Sequence, residues 1–267
     1  MANVTIELFS GALCRRVTFR MYLPNDIQPD EAAARSPYAK RPMKTLFLLH
    51  GYTGSAESWG MEELAKQYRV ALVMPNGENG FWLDGASTGH RYATFVGAEL
   101  VDYLRSTFGL AKSAEDTAIC GLSMGGFGAL HTAFAYPNRF GKVGAMSSAL
   151  IVHEIAGMRE GEENGIANYA YYRECFGDLE TVEESDSNPE VLVRRLKEQG
   201  GRIPEIYLCC GTEDFLLENN RAFHRFLESI SVEHRYTESK GTHDWGFWGE
   251  YSGKILRWMF GSGEPET

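Results

Sequence analysis

The chain reads as an α/β protein with a mostly parallel sheet of about eight strands and helices on both faces. Three observations predict this. Short continuous apolar runs, among them "KTLFLLH" at 44–50, "YRVALVMP" at 68–75 and "DTAICGLS" at 116–123, suit strands covered on both faces. Stretches with helical spacing lie between them, the alternation that builds parallel sheets. Two leading segments, "VTIELFS" at 4–10 and "RRVTFRMYLP" at 15–24, instead alternate apolar and polar residues, as half-buried antiparallel strands do.

The remaining elements follow in order. Residues 25–42 carry Pro29, Pro37 and Pro42 among mixed charges and read as a loop. "SAESWGMEELAKQ" at 55–67 offers a serine cap and helix formers. "NGENGFWLDGASTGH" at 76–90 is a long glycine-rich loop of the kind that often carries function. "RYATFVGAELVDYLRSTFG" at 91–109 predicts a helix stopped at Gly109, and "MGGFGALHTAFAYP" at 124–137 one ended by Pro137. "FGKVGAMSSA" at 140–149 reads as a sixth strand. From 151 to 202 the pattern loosens and turns acidic. This stretch is too short for its own core and reads as a cap-like insertion in one domain spanning 1–267, closed by a helix at 189–199. Strands at 205–214 and 232–239 alternate with helices at 218–230 and 245–260.

The net charge of −10 argues against a nucleic-acid partner, whose phosphates need a basic face. No basic amphipathic stretch and no 18-residue apolar run points to a membrane. Of the five cysteines, Cys120 and the pair Cys209–Cys210 lie in apolar runs, without CxxC spacing. Reduced thiols and no visible signal peptide predict a cytoplasmic protein.

Chemistry in an open parallel sheet is expected just beyond the carboxyl ends of the strands. Gly121-Leu122-Ser123-Met124-Gly125 fits G-x-S-x-G, follows a strand and opens a helix. So sharp a turn brings the two flanking glycine positions together and presents Ser123 as a nucleophile beside a helix N-terminus. Phosphate-loop readings fail, because Phe127 follows Gly126 where a Lys would be needed. Of seven histidines, His243 in "SKGTHDWGFW" follows the last strand and is the candidate base. Asp214 in "CCGTEDFLLEN" follows another strand and is the candidate acid, with Glu213 as its rival and Asp244 set aside as an immediate neighbour of His243. The amides of Tyr52, in "HGYTG", and Met124 are the candidate oxyanion donors. Trp82 and Trp245 are candidates for the cleft wall. The chemistry needs no metal and no organic cofactor.

The stretches "LFLLHGYTGSAESW", "YATFVGAELVDYL", "ICGLSMGGFGAL", "FGDLE", "IYLCCGTEDFLLENNRAFHRFLE" and "GTHDWGFW" resemble the esterase D, or putative-esterase, branch of the α/β-hydrolases. That branch includes tributyrin esterases, S-formylglutathione hydrolases, feruloyl and acetylxylan esterases and mycolyltransferases. The resemblance implies an α/β-hydrolase fold, with Ser123 as nucleophile, Asp214 as acid and His243 as base. It implies a serine carboxylesterase acting on a small-molecule ester with a short acyl chain, acetyl to butyryl, feruloyl and acetylated sugar esters included. An S-formylglutathione hydrolase-like thioesterase and a non-catalytic binding protein of the same fold are the alternatives. The resemblance also leaves a homo-oligomer open.

Overall fold

A computed structural model of the chain describes residues 2–25, 27, 28, 34 and 36–261. Of the loop expected at 25–42, residues 26, 29–33 and 35 lie outside the described residues. Eight strands form one sheet: β1 (Ala2–Ser10), β2 (Arg15–Leu23), β3 (Lys44–Leu49), β4 (Val70–Pro75), β5 (Thr117–Leu122), β6 (Lys142–Met146), β7 (Glu205–Gly211) and β8 (Arg235–Ser239). Their order is β1-β2-β4-β3-β5-β6-β7-β8. β2 runs antiparallel to both β1 and β4, and every pair from β4 to β8 is parallel.

The sequence patterns map onto burial. β4 and β5 are buried at every residue, whereas the inward residues of the edge strand β1 alternate with exposed ones. Within β3 the pleat sends Leu46 and Leu48 to one face and Phe47 and Leu49 to the other. The first face is covered by α1 (Glu62–Tyr68) and α9 (Trp245–Phe260), through Ala65, Tyr68, Tyr251 and Ile255. The second is covered by α3 (Val101–Phe108), α4 (Met124–Ala135) and α8 (Leu217–Ser229), through Leu104, Phe127, Leu130 and Leu227.

Three elements differ from expectation. The helix expected at 55–67 is a 3₁₀ turn at Ala56–Ser58, followed by α1; Trp59 leaves the turn in an extended conformation. The helix at 91–109 comprises α2 (Tyr92–Thr94), a π-helical stretch at Phe95–Leu100 and α3. There the ring of Tyr136 presses so close to Gly97 that a Cβ would lie 2.2 Å from it. β6 stops at Met146, so Ser147 and Ser148 belong to the loop beyond the sheet. Gly109 does end α3, in the left-handed region at φ 64°.

β3 leads away through α1 to β4, on one side, while β5 leads through α4 to β6 on the other. The carboxyl ends of β3 and β5 therefore flank a point where the winding reverses, the crevice such sheets use for ligands. Between the neighbouring strands β6 and β7 run α5 (Val152–Ile155), α6 (Tyr169–Phe176) and α7 (Pro189–Glu198).

Candidate active site

Ser123 stands between β5 and α4 with φ 55° and ψ −122°, a region sparsely populated by residues other than glycine. Such a backbone costs about 1–3 kcal/mol and persists only where its surroundings fix it. Here the Ser123 N–H donates to Met146 O (2.9 Å), and Ser123 O accepts from the N–H groups of Phe127 (3.1 Å) and Ala149 (3.0 Å). Two glycines make the turn sterically feasible. A Cβ on Gly121 would lie 2.0 Å from Gly125 O, and one on Gly125 would lie 1.9 Å from Leu49 O. The second contact also brings the end of β3 against the start of α4.

His243 precedes α9 and reaches back to the serine, with Nε2 3.0 Å from Ser123 Oγ. Its Nδ1 is 3.0 and 2.9 Å from the two carboxylate oxygens of Asp214, in the turn after β7. A carboxylate only accepts hydrogen bonds, so Nδ1 carries the proton and Nε2 offers a lone pair to the Ser123 hydroxyl. The Asp214 side chain is fully buried, and that of His243 is 18 % exposed. Burial alone would raise the Asp214 carboxyl. The hydrogen bonds from His243, from the Leu216 amide (2.9 Å) and from the Ser147 hydroxyl outweigh it and hold the group below its ordinary value. An ionised acceptor thus faces the imidazole at neutral pH. The arrangement can move the Ser123 proton onto Nε2 and stabilise the imidazolium that results.

The rivals are placed elsewhere. Glu213 points into solvent. Asp244 caps α9, its Oδ1 accepting from the N–H groups of Gly246 (2.8 Å) and Phe247 (3.3 Å). Cys120 sits inside β5, where burial pushes its thiol up to about 12, so no thiolate competes as nucleophile.

The loop after β3 approaches the serine closely: a Cβ on Gly51 would lie 3.3 Å from Ser123 Cβ. His50 fixes that loop. It is fully buried, and burial lowers its pKa, so the ring is neutral. Its Nε2 accepts from Gly77 N–H (3.0 Å), which puts the proton on Nδ1 and makes that atom the donor to Gly51 O (2.8 Å). Gly54 N–H donates to the same carbonyl (3.0 Å). In a trans peptide the N–H points opposite to the C=O, so the Tyr52 N–H is turned away from these partners. The Met124 N–H belongs to the first turn of α4, where amides lack intrahelical acceptors.

The two tryptophans fare differently. Trp82, expected at the cleft wall, is fully buried. Its indole fills a slot left by two glycines: a Cβ on Gly77 or Gly128 would come within 2.5 and 2.4 Å of it, and its Nε1 donates to His50 O (3.1 Å). Trp82 braces the loop from behind. Trp245 is 45 % exposed and packs edge-on against Trp59 and Trp248.

Three residues near the triad were given no role by sequence reasoning. The Trp248 ring stands edge-on to His243 (centroids 4.9 Å) and its Nε1 donates to the buried Ser147 Oγ (3.1 Å). Phe215 also packs against the imidazole (centroids 4.6 Å). Tyr171 of α6 meets the Tyr52 ring (5.9 Å) and donates to Asn79 O (2.5 Å), tying the segment between β6 and β7 to the loop after β4. Phe215 and Trp248 could have been sought from their spacing to Asp214 and His243. Tyr171 left no local signal.

Among the described residues no group of three or more His, Cys, Asp or Glu side chains is placed to hold a metal ion, and no helix is long and apolar enough to cross a membrane.

Fold and site together define a serine hydrolase of the α/β-hydrolase type. Residues 10–257 match the model of the family described as putative esterase, and the chain belongs to that family. It is 40% identical over 263 residues to an acetyl esterase of Caldicellulosiruptor saccharolyticus, covering 97% of this chain and 98% of the relative. Among solved structures it is similar to the serine hydrolase FphF of Staphylococcus aureus, with a TM-score of 0.82, 25% identity and coverage of 97% and 98%. The S-formylglutathione hydrolase FrmB of the same organism superposes with a TM-score of 0.80 at 24% identity, again over 97% and 98% of the two chains, a likeness of fold. The chain is thus a serine carboxylic ester hydrolase.

Proposed function

We propose that this enzyme hydrolyses short-chain acyl esters, acetyl to butyryl, with Ser123 as nucleophile, His243 as general base and acid, and Asp214 as the carboxylate that orients it. The observation that carries the reading is the unbroken hydrogen-bonded chain from Ser123 Oγ through His243 to Asp214. Identity to an acetyl esterase along nearly the whole chain supports a short acyl group. His243 takes the hydroxyl proton as Oγ attacks the ester carbonyl, and the Tyr52 and Met124 amides receive the oxyanion. The C–O bond to the alcohol then breaks, His243 returns the proton to that oxygen, and water repeats the sequence on the acyl-enzyme. Residues 151–202 form a cap-like wall of a single domain, a reading supported by the contact of Tyr171 with Tyr52. Four buried free thiols beside the exposed Cys14 favour a reducing compartment, the cytoplasm.

A series of p-nitrophenyl esters from acetate to palmitate tests the acyl preference. The best kcat/KM is expected between acetate and butyrate. A maximum at palmitate would overturn it, and a higher kcat/KM on S-formylglutathione than on any ester would make the enzyme a thioesterase.

His50 has a separate expected result. His50→Phe keeps a ring beside Trp82 but removes the donor to Gly51 O and the acceptor of Gly77 N–H. The variant is expected to lose about 1–3 kcal/mol of stability from the stranded Gly77 amide. Its kcat on p-nitrophenyl acetate is expected to fall by about 10–100-fold, short of the 10²–10³ seen when an oxyanion donor is removed outright. Steady-state kinetics with a thermal melt separates the two effects.

A further inference from the structure

Among the described residues six large apolar side chains are exposed, and three of them, Tyr52, Phe215 and Trp245, belong to the segments that build the Ser123 site. Phe215 is the most exposed, at 69 %. Its neighbours in the chain, Asp214 and Leu216, are both buried, and the Leu216 N–H is fastened to the Asp214 carboxylate. The backbone is pinned on either side while the ring is left in water, resting on the imidazole of His243 with the two ring planes at 50°. This phenylalanine adds little to the core, and among the described residues its one ring contact is with the candidate base.

The reaction says what should cover it. The carbonyl oxygen of the ester faces the Tyr52 and Met124 amides, so the acyl carbon is held between them and Ser123. The alcohol oxygen must meet His243 Nε2, because it takes its proton there as the C–O bond breaks. Whatever the alcohol carries beyond that oxygen extends past the imidazole, the ring that Phe215 packs against. Aromatic faces gain most by covering flat apolar partners. We propose that Phe215 is the platform for the leaving group, and that it selects esters whose alcohol presents a flat apolar face, an aryl ring or the C–H face of a pyranose.

The proposal rests on His243 as the proton donor to the leaving alcohol, and it has a kinetic signature of its own. The alcohol departs before the acyl-enzyme is hydrolysed. Phe215 therefore acts on acylation and leaves the discrimination between acyl groups alone.

The test compares wild type, Phe215→Ala and Phe215→Tyr on phenyl acetate, a mono-O-acetylated methyl xylopyranoside and ethyl acetate. In Phe215→Ala the kcat/KM ratio of phenyl or pyranosyl acetate to ethyl acetate is expected to fall about tenfold, and Phe215→Tyr is expected to restore it. The ratio of phenyl acetate to phenyl butyrate should stay at its wild-type value. A fall in the phenyl arm assigns an aryl alcohol, and a fall in the pyranosyl arm assigns a sugar. Unchanged ratios in Phe215→Ala, or a shift in the acetate-to-butyrate ratio instead, would overturn the proposal. So would a lower mass of that variant by light scattering, which would give the ring to a contact between copies of the chain. Failure of the underlying mechanism looks different: Ser123→Ala would then hydrolyse all three acetates at the wild-type rate.

Discussion

Ser123→Ala is expected to lower kcat on p-nitrophenyl acetate by about 10⁶-fold, the loss typical when the nucleophile of such a unit is removed. The size follows from what remains. His243 and Asp214 would still be hydrogen-bonded to each other, but they act on the substrate only through the serine oxygen. The two candidate oxyanion amides would persist and leave a residual rate of about 10³–10⁴ over water. The Cys120 thiol cannot step in, since it is buried and held up near 12. The fold should survive. The bonds that hold Ser123 in its turn are made by its backbone, to Met146, Phe127 and Ala149, and alanine at φ 55° carries the same strain as serine. The measurement is steady-state turnover with a thermal melt. A variant that keeps a few per cent of wild-type activity with an unchanged melt would remove Ser123 from the mechanism.

How much of this could be read from the chain differs between strand and loop. The runs that became β3, β4 and β5 were legible because a strand buried on both faces has no polar positions to interrupt it. The order of those strands was not, since nothing local states that β4 lies outside β3. Ser123, Asp214 and His243 were legible as a set because each follows a strand. The burial of Trp82 was not legible, for a physical reason. Its loop is polar and glycine-rich, which suggests exposure, yet Gly77 in that loop and Gly128 in α4 leave the space its ring fills. Ser147 escaped notice because the apolar run around it made it look like strand, whereas the sheet ends one residue earlier. His90 and His153 find Glu174 and Glu183, far off in the sequence, across the fold. Residues marked by a strand end were visible, and tertiary pairs without such a marker were not.

Asp214→Asn is expected to cost about 10⁴ in kcat, with little change in the fold. The argument turns on which way the new amide would face. Asp214 Oδ1 accepts from the Leu216 N–H at 2.9 Å, so the asparagine carbonyl takes that position. Its NH₂ then occupies the place of Oδ2, 2.9 Å from His243 Nδ1. The carbonyl, 3.0 Å from the same Nδ1, is already engaged by the Leu216 N–H, so the NH₂ as the nearer donor draws the imidazole toward the tautomer in which Nδ1 is bare and accepts. The neutral imidazole must then carry its proton on Nε2, the atom that faces Ser123 Oγ at 3.0 Å. The base would point a proton at the nucleophile it has to deprotonate. Glu213→Gln, one residue away on an exposed side chain, is expected to leave turnover within about twofold of wild type, as surface substitutions generally do. Steady-state kinetics on p-nitrophenyl acetate for the two variants decides the assignment. If Glu213→Gln proved the more damaging, the acid would be Glu213, and the buried Asp214 would serve only to shape the turn after β7.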